Sequence, residues 1–335
     1  MDFYNKKGVV QRFIVGVRNL SILLCVVLVG IFFLLKVPSK PSMFSSVSDE
    51  NPWSVESFLS ATDPPSAVEK GYEIIITDYN TWIGSSTLSP NRLSCSNCHL
   101  KAGTQNGAAS FLGVTRRYPK FSGRDGKVSD LVDRINGCME RSMNGKVLNR
   151  EDPLMQAMLA YMDWLDKNYV SLENHRAGFL AISIPKRAVN VDNGKAIYLR
   201  ACALCHGEEG KGSKIGNVYQ YPPLWGREAY NEGAGMNRVL TAAAFIKSNM
   251  PYLKANWKTP LLTDEEAYDV AGYINSKERP PLKKKVNDYP DKKRKPVSTP
   301  YGPWEDDFSA TQHKFGPFPP IVKYYEEQFG IEKNY

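Results

Sequence analysis

The pentapeptides CSNCH, residues 95–99, and CALCH, residues 202–206, repeat one pattern, Cys-x-x-Cys-His. This pattern is the attachment signal for c-type haem, in which two thioethers anchor the porphyrin and the adjoining histidine reaches the iron. Tetrahedral zinc sites and redox disulfides also use Cys-x-x-Cys, but neither requires a histidine after each pair. The chain has only four histidines, and His99 and His206 occupy that position. The sequence therefore predicts two covalently bound haem c groups, attached at Cys95, Cys98, Cys202 and Cys205.

Similar predicted helices surround the two motifs. Apolar residues at helical spacing indicate helices on either side of each motif, over residues 66–83, 152–167, 192–206 and 263–281. Pro153 after Asp152 and a capping box from Thr263 to Glu266 mark two helix starts. We therefore expect an all-α fold with two cytochrome c-like domains in tandem, residues 66–175 and 176–282. The aromatic, Pro-rich tail, residues 283–335, is expected to be extended and to pack on the domains.

The N-terminal region carries basic residues followed by an apolar run. Residues 20–35 form a stretch of 16 residues without a charge. The apolar segment is 23 residues long if it begins at Phe13 and the Arg18 side chain extends to the membrane surface. A membrane span needs about 20, and preceding basic residues favour a cytoplasmic N-terminus. No A-x-A-like cleavage site follows, which favours an uncleaved anchor over a signal peptide. Cys25 lies within the apolar run and is interpreted as an apolar residue of the helix. We predict a cytoplasmic tip and transmembrane helix over 1–38, a linker over 39–65, and haem domains in the periplasm, held at the bacterial inner membrane.

The charge of the chain is +8 over 335 residues, and much of the excess lies on its flanks. Residues 277–295 alone hold nine Lys or Arg against three Asp or Glu. No basic stripe lies within a nucleic-acid-binding motif, so no nucleic-acid partner is expected. His175 and His313 lie outside both motifs, and we expect both on the surface.

Each haem iron needs a sixth ligand or an open position. In the second domain Met250 precedes Pro251 and lies 44 residues after His206. Methionine ligation raises the reduction potential and suits electron transfer, although Met also serves often as core filler. Met250 is the predicted ligand.

The corresponding window of the first domain holds three sulfur side chains, Cys138, Met139 and Met143, at 39, 40 and 44 residues after His99. Spacing alone does not choose between them and slightly favours Met143. Cys138 has no disulfide partner outside the N-terminal run, and positive charge from Arg134 and Arg141 favours its thiolate. If residues 130–142 are helical, Arg134 lies one turn from Cys138. A buried inert thiol or an intermolecular bridge remains an alternative.

Four stretches of the chain resemble one known family: LSCSNCHLKAG (93–103), RINGCMERSMNGK (134–146), MQAMLAYMDWL (155–165) and YPPLWG (221–226). The resemblance is to the dihaem cytochrome c thiosulfate dehydrogenases, also called tetrathionate synthases, some of which act as tetrathionate reductases. It extends over about residues 66–320. It implies an active-site haem with axial ligands His99 and Cys138, and an electron-transfer haem with ligands His206 and Met250. Some members have a Lys in place of Asn249.

The resemblance also implies a reaction, the reversible coupling of two thiosulfate ions into tetrathionate with release of two electrons. Substrate-contacting residues of the family map to Arg124, Arg134 and Ser142, and a Cys138–thiosulfate adduct is the implied intermediate. Two dianions must meet in one pocket, and guanidinium groups suit such oxyanions. Arg124 has alternative roles in pairing with a haem propionate or in a solvated turn.

The expected redox partner is a small periplasmic cytochrome c or a quinol-linked complex. The main alternative function is a membrane-anchored dihaem electron carrier or a cytochrome c subunit of a terminal oxidase. That function predicts Met ligation in both domains and no anion pocket. No sequence feature supports a third possibility, a dihaem peroxidase.

Overall fold

The computed structural model describes residues 63–78, 91–168, 175–216, 218–283 and 285–333, together with Leu59 and Thr81. These residues belong to one compact unit, Asp49–Tyr335. The predicted transmembrane helix, residues 13–35, lies outside the described residues. Within the ranges given above, no helix is long and apolar enough to cross a membrane.

The first domain is built from two long helices that cross and a third that carries the sulfur-rich segment. Helix α1 spans Ser66–Ile76, and the Cys-x-x-Cys-His segment forms a 3-10 turn, Cys95–Asn97, and a short helical turn, α2, Leu100–Gly103. A hairpin of β1, Lys120–Ser122, and β2, Lys127–Ser129, precedes α3, Leu131–Arg141. Helix α4, Pro153–Asn168, closes the domain against α1.

The second domain repeats this arrangement. Helix α5, Val191–Ala201, leads into α6, Ala203–His206, and a hairpin of β3, Ser213–Ile215, and β4, Val218–Tyr221, follows. Helix α7, Val239–Asn249, ends just before Met250, and α8, Asp264–Ser276, packs against both α5 and α7. The capping box from Thr263 to Glu266 is present as predicted.

A glycine lets the first and last helices of each domain cross closely. A Cβ atom on Gly71 of α1 would lie 2.1 Å from the carbonyl oxygen of Ala157 in α4. A Cβ atom on Gly194 of α5 would lie 2.1 Å from the carbonyl oxygen of Asp269 in α8. Both distances are far below van der Waals contact, so only glycine fits at either crossing. The two crossings match, which supports an internal duplication.

The two domains exchange buried side chains. Leu100 and Ala108 of the first domain lie in the core of the second, and Tyr230 and Ala234 of the second lie in the core of the first. The buried Asn249 side chain donates a hydrogen bond to the Gly107 carbonyl oxygen at 2.9 Å. The shared core ties the two domains together.

The C-terminal tail packs on the domains as predicted, but it is not extended throughout. It contains 3-10 turns and two helices, α9, Ala310–Phe315, and α10, Pro319–Phe329. Phe318, Ile321 and Tyr325 lie in the core of the second domain, where their burial removes apolar surface from water.

Several expectations need correction. The helical fold is confirmed, but each domain also contains a short hairpin that the sequence analysis did not predict. Helix α1 ends at Ile76 and α8 at Ser276, both earlier than predicted. His313 is buried and not on the surface: its Nε2 lies 2.8 Å from Asp306 Oδ1, and its ring stacks on Trp304. These contacts compensate for burial of a polar ring. His175 is partly buried.

The glycine crossing gives a stability prediction. We expect Gly71→Ala to lower the free energy of unfolding by about 1–3 kcal/mol or more, because overpacking forces the crossing helices apart. Thermal unfolding followed by circular dichroism measures the loss. Gly235→Ala is the control, since the nearest atom to its added Cβ lies 3.5 Å away, at ordinary contact distance. Equal melting temperatures for the two variants would contradict the close crossing.

Candidate haem and thiolate site

Helix α3 presents a cysteine and an arginine on one face. The side chain of Asp130 accepts a hydrogen bond from the Asp133 backbone N–H and so caps the helix. The helix then continues through Asn136 and Gly137 without interruption. Arg134 and Cys138 are one turn apart, and Arg134 Nη1 donates to Cys138 Sγ at 2.9 Å. The predicted pairing of Arg134 with Cys138 is therefore present.

The surroundings of Cys138 favour its thiolate. Burial raises the pKa of the thiol, but the Arg134 guanidinium and the His99 imidazole outweigh burial and lower the pKa from 9.0 to about 6. Cys138 is therefore held as an anion near neutral pH.

A mostly apolar cavity of about 390 Å³ opens beside the thiol. It brings together seven of the sulfur-bearing and polar residues that the sequence singled out in the first domain: Cys95, Cys98, His99, Arg134, Cys138, Ser142 and Met143. Its size is in the range of small-molecule and cofactor sites. Met139 also lines it, so each sulfur in the predicted ligand window faces the cavity, and Arg134 donates its hydrogen bond to the Cys138 sulfur.

The two motif histidines are held in the same way. His99 Nδ1 donates to the Ala109 carbonyl oxygen at 2.6 Å, and His206 Nδ1 donates to the Pro222 carbonyl oxygen at 2.9 Å. A carbonyl oxygen only accepts, so the proton is on Nδ1 in both rings and Nε2 is available for iron. Together with the two thiols on the wall of the first cavity, this arrangement fits a c-type haem.

Buried polar atoms near the start of α7 also fit a bound group. Asn237 Oδ1, Arg238 Nε and Thr241 Oγ1 are buried and have no hydrogen-bond partner among the described residues. Native proteins rarely leave such atoms unsatisfied. Haem carries carboxylates, and a carboxylate could accept hydrogen bonds from the guanidinium and the hydroxyl here.

Met250, the predicted ligand of the second iron, lies at the C-terminal end of α7. It follows the last residue of α7, and its side chain packs against the core of the second domain, as does Cys202. The Asn249 side chain donates hydrogen bonds to the carbonyl oxygens of Gly107 and Phe245, so it does not take the place of Met250 as an iron ligand.

Arg124 takes a different place from Arg134. Within the described residues it is not among those that line the cavity. Its Nη1 lies 2.5 Å from Asp288 Oδ2 and 3.2 Å from the Gly233 carbonyl oxygen. Arg141 Nη2 binds the other oxygen of Asp288 at 2.9 Å. The tail thus supplies a carboxylate between two arginines of the first domain.

Sequence reasoning missed the contributions of other segments to this site. Tyr230 and Met236 of the second domain line the cavity of the first, and so does Tyr118. The contribution of Asp288 was also unforeseen. No local pattern marks these residues, because their contacts depend on how the two domains and the tail pack.

Two family models match the chain, one for each domain. A model described as "SoxA/TsdA, cytochrome c domain" matches residues 85–167, and one described as "Cytochrome c" matches residues 191–278. Together with the fold and the paired Cys-x-x-Cys-His sites, they define a tandem cytochrome c with two covalently bound haem c groups.

The chain belongs to the TsdA-like family of dihaem cytochromes c. It is 40% identical over 204 residues to "Thiosulfate dehydrogenase" of Allochromatium vinosum, covering 59% of this chain and 74% of that relative. It is 38% identical over 191 residues to "Thiosulfate dehydrogenase" of Stutzerimonas stutzeri, covering 57% of this chain and 61% of that relative.

A solved structure is also similar. The structure of "Thiosulfate dehydrogenase (TsdBA)" from Marichromatium purpuratum matches with 30% identity and a TM-score of 0.59, over 78% of this chain and 50% of that chain. The chain spans about 60% of the length of the first curated relatives, at 61% and 60%.

Proposed function

We propose that the protein is an oxidoreductase that interconverts thiosulfate and tetrathionate at the cavity of the first domain. The observation that carries the proposal is the Cys138 thiolate, held by Arg134 at 2.9 Å and facing a cavity that His99, Cys95 and Cys98 also line. Similarity to thiosulfate dehydrogenases supports the same substrate. A plain electron carrier has no need for an ionised cysteine beside an arginine in a cavity.

The residues of the chain can perform the sulfur chemistry in two steps. The Cys138 thiolate forms a sulfur–sulfur bond with the outer sulfur of one thiosulfate, and two electrons leave, giving Cys–S–S–SO₃⁻. The outer sulfur of a second thiosulfate then attacks the sulfur bonded to Cys138. The Cys138 sulfur leaves as the thiolate, and tetrathionate is released. Arg134 stabilises the thiolate before and after this cycle, and charge-assisted hydrogen bonds from guanidinium groups offset repulsion between the dianions.

When bound, the two haem c groups would accept the two electrons, one at each iron. We propose that His99 and Cys138 ligate the first iron and that His206 and Met250 ligate the second. Cys138 would then be both ligand and reactive sulfur, and Ser142 would donate a hydrogen bond to a sulfonate oxygen. Arg124 would contribute its charge from the edge of the site.

An assay of the purified protein in both directions tests the proposed function. Thiosulfate with a one-electron oxidant should give tetrathionate, and tetrathionate with a reductant should give thiosulfate. Turnover in neither direction would reject the enzyme and leave the electron carrier as the better interpretation. Whether the protein oxidises thiosulfate or reduces tetrathionate depends on the reduction potentials of the haems. Hydrogen bonds and solvent access around each iron set these potentials.

The role of Met250 gives a separate prediction. Met250→Gly should lower the reduction potential of the second haem, because a thioether ligand favours ferrous iron. The first haem should keep its potential, and substrate should still bind there. Potentiometric titration of both haems in the variant and the parent measures the change. An unchanged second potential would show that Met250 is not a ligand.

We further propose that residues 13–35 anchor the protein in the inner membrane and that the haem domains, divided at about residues 66–175 and 176–282, face the periplasm. The apolar run after basic residues supports the anchor. Electrons would pass to or from a small cytochrome c or a quinol-linked complex.

The anchor is tested by the N-terminus of the mature protein. Mass spectrometry of protein extracted from membranes should find residues 13–35 retained, because no cleavage signal follows the apolar run. A mature N-terminus near residue 40 would show a cleaved signal peptide instead.

A further inference from the structure

Four arginines lie together beside the cavity. Arg134 lines it, Arg141 follows Cys138 on the same helix, and Arg124 and Arg238 are near enough for their charges to act on Arg134. We call these four residues the arginine cluster. Positive charges this close together repel one another unless counter-charges lie close by.

Asp288 of the C-terminal tail is the buried carboxylate that binds this cluster. Its two oxygens accept hydrogen bonds from Arg124 Nη1 at 2.5 Å and Arg141 Nη2 at 2.9 Å. Its side chain is 7% exposed. Among the described ion pairs of the cluster, the other carboxylate is Glu140, which is 45% exposed and 3.9 Å from Arg141 Nη1. Solvent screens that exposed pair, so Asp288 is the effective carboxylate of the cluster, beside the Cys138 sulfur that Arg134 binds.

The tail holds Asp288 firmly in place. The Tyr301 hydroxyl donates to Asp288 Oδ2 at 2.6 Å, and the Tyr289 backbone N–H donates to the Arg124 carbonyl oxygen at 2.8 Å. Burial raises the pKa of Asp288, but Arg124 and Arg141 outweigh it and hold the pKa below its ordinary value. The carboxylate is therefore charged across the neutral range.

We propose that Asp288 sets how strongly the site holds anions, by neutralising one positive charge of the arginine cluster. This inference rests on the proposed function. Substrate binding needs positive charge, because two dianions must enter. Product release needs less of it, because tetrathionate is itself a dianion and must leave. A site that binds all anions more tightly lowers KM without speeding turnover.

The test compares substitutions that separate charge from packing. Asp288→Asn keeps the size of the side chain and removes its charge. We expect KM for thiosulfate to fall about tenfold, inhibition by added tetrathionate to strengthen, and kcat for thiosulfate oxidation to fall as product release slows. Tyr301→Phe removes a hydrogen bond to Asp288 but keeps the charge, so KM should not fall.

A double variant distinguishes an effect of charge from a general loss of the fold. Arg141→Gln with Asp288→Asn removes one charge of each sign and leaves no unpaired Arg141, so KM should return toward the parental value. Asp269→Asn is the stability control, because Asp269 is a buried carboxylate paired with Arg187 in the second domain. It should lower thermal stability without tightening thiosulfate binding.

The reduction potential of the first haem provides a readout that does not depend on turnover. Losing a negative charge near the haem favours the reduced form, so Asp288→Asn should raise this potential and the double variant should restore it. If the parent turns over but Asp288→Asn leaves KM unchanged or raises it, the inference is wrong and the proposed function stands. If the parent shows no turnover, the proposed function fails, and an unchanged potential in Asp288→Asn would also reject the inference.

Discussion

Cys138→Met is expected to abolish turnover while both haems stay attached. Methionine can bind iron but has no thiol, so it forms no sulfur–sulfur bond with thiosulfate. Removing a residue that forms the covalent intermediate should lower turnover by about a thousandfold or more in both directions. A neutral thioether also replaces an anionic thiolate, so the ferric form loses stabilisation and the first haem's potential should rise.

Two measurements check this variant. Steady-state assays report turnover, and magnetic resonance of the oxidised protein reports whether the thiolate-bound haem signal has gone. Met143→Leu is the matched control, because it removes the competing thioether on the same cavity wall and should keep the thiolate signal. If Cys138→Met keeps most of its turnover, the covalent steps are wrong. If its spectrum is unchanged, another group ligates the first iron.

Arg134→Gln is expected to impair the same site through charge. A charge-assisted hydrogen bond is worth about 1.5–3 kcal/mol, so turnover efficiency should fall by about ten- to a hundredfold. Arg134 also lowers the pKa of Cys138, which is about 6 with the arginine in place. When Cys138 is off the iron, the lowered pKa keeps its thiolate down to that pH, so the parent should lose activity as pH falls through about 6.

The pH profile separates this role from simple substrate binding. In Arg134→Gln the pKa of Cys138 should move back toward 9.0, so the acid limb of the profile should move to higher pH. Arg134→Lys keeps a positive charge without the planar fork and should fall between the parent and the Gln variant. An acid limb at the same pH in all three proteins would mean that Arg134 does not hold the thiolate.

The haem attachment sites and the active helix could be predicted from the sequence because their determinants are local. Cys-x-x-Cys-His fixes both thioethers and the histidine within one turn of chain. Arg134 and Cys138 meet because helical spacing places residues four apart on one face. The capping box at Thr263 likewise depends only on neighbours along the chain.

The remainder of the site depends on contacts between distant segments. Asp288 meets Arg124 across 164 residues of chain, and nothing in the local sequence marks either as the partner of the other. His313 looked like a surface residue because its partners, Asp306 and Val297, are brought to it by the fold of the tail. The glycine crossings show the same limit, since their meaning depends on which helix packs opposite.

The most direct test of the central claim is the mass of the Cys138 peptide after the oxidised protein is treated with tetrathionate. The thiolate should attack one of the two central sulfurs and release thiosulfate, leaving Cys138 heavier by one S₂O₃ unit less the thiol proton. This step needs no electrons, so it should occur without a reductant, and Arg134→Gln should form the adduct more slowly. Turnover in the assay without any adduct on Cys138 would contradict the account.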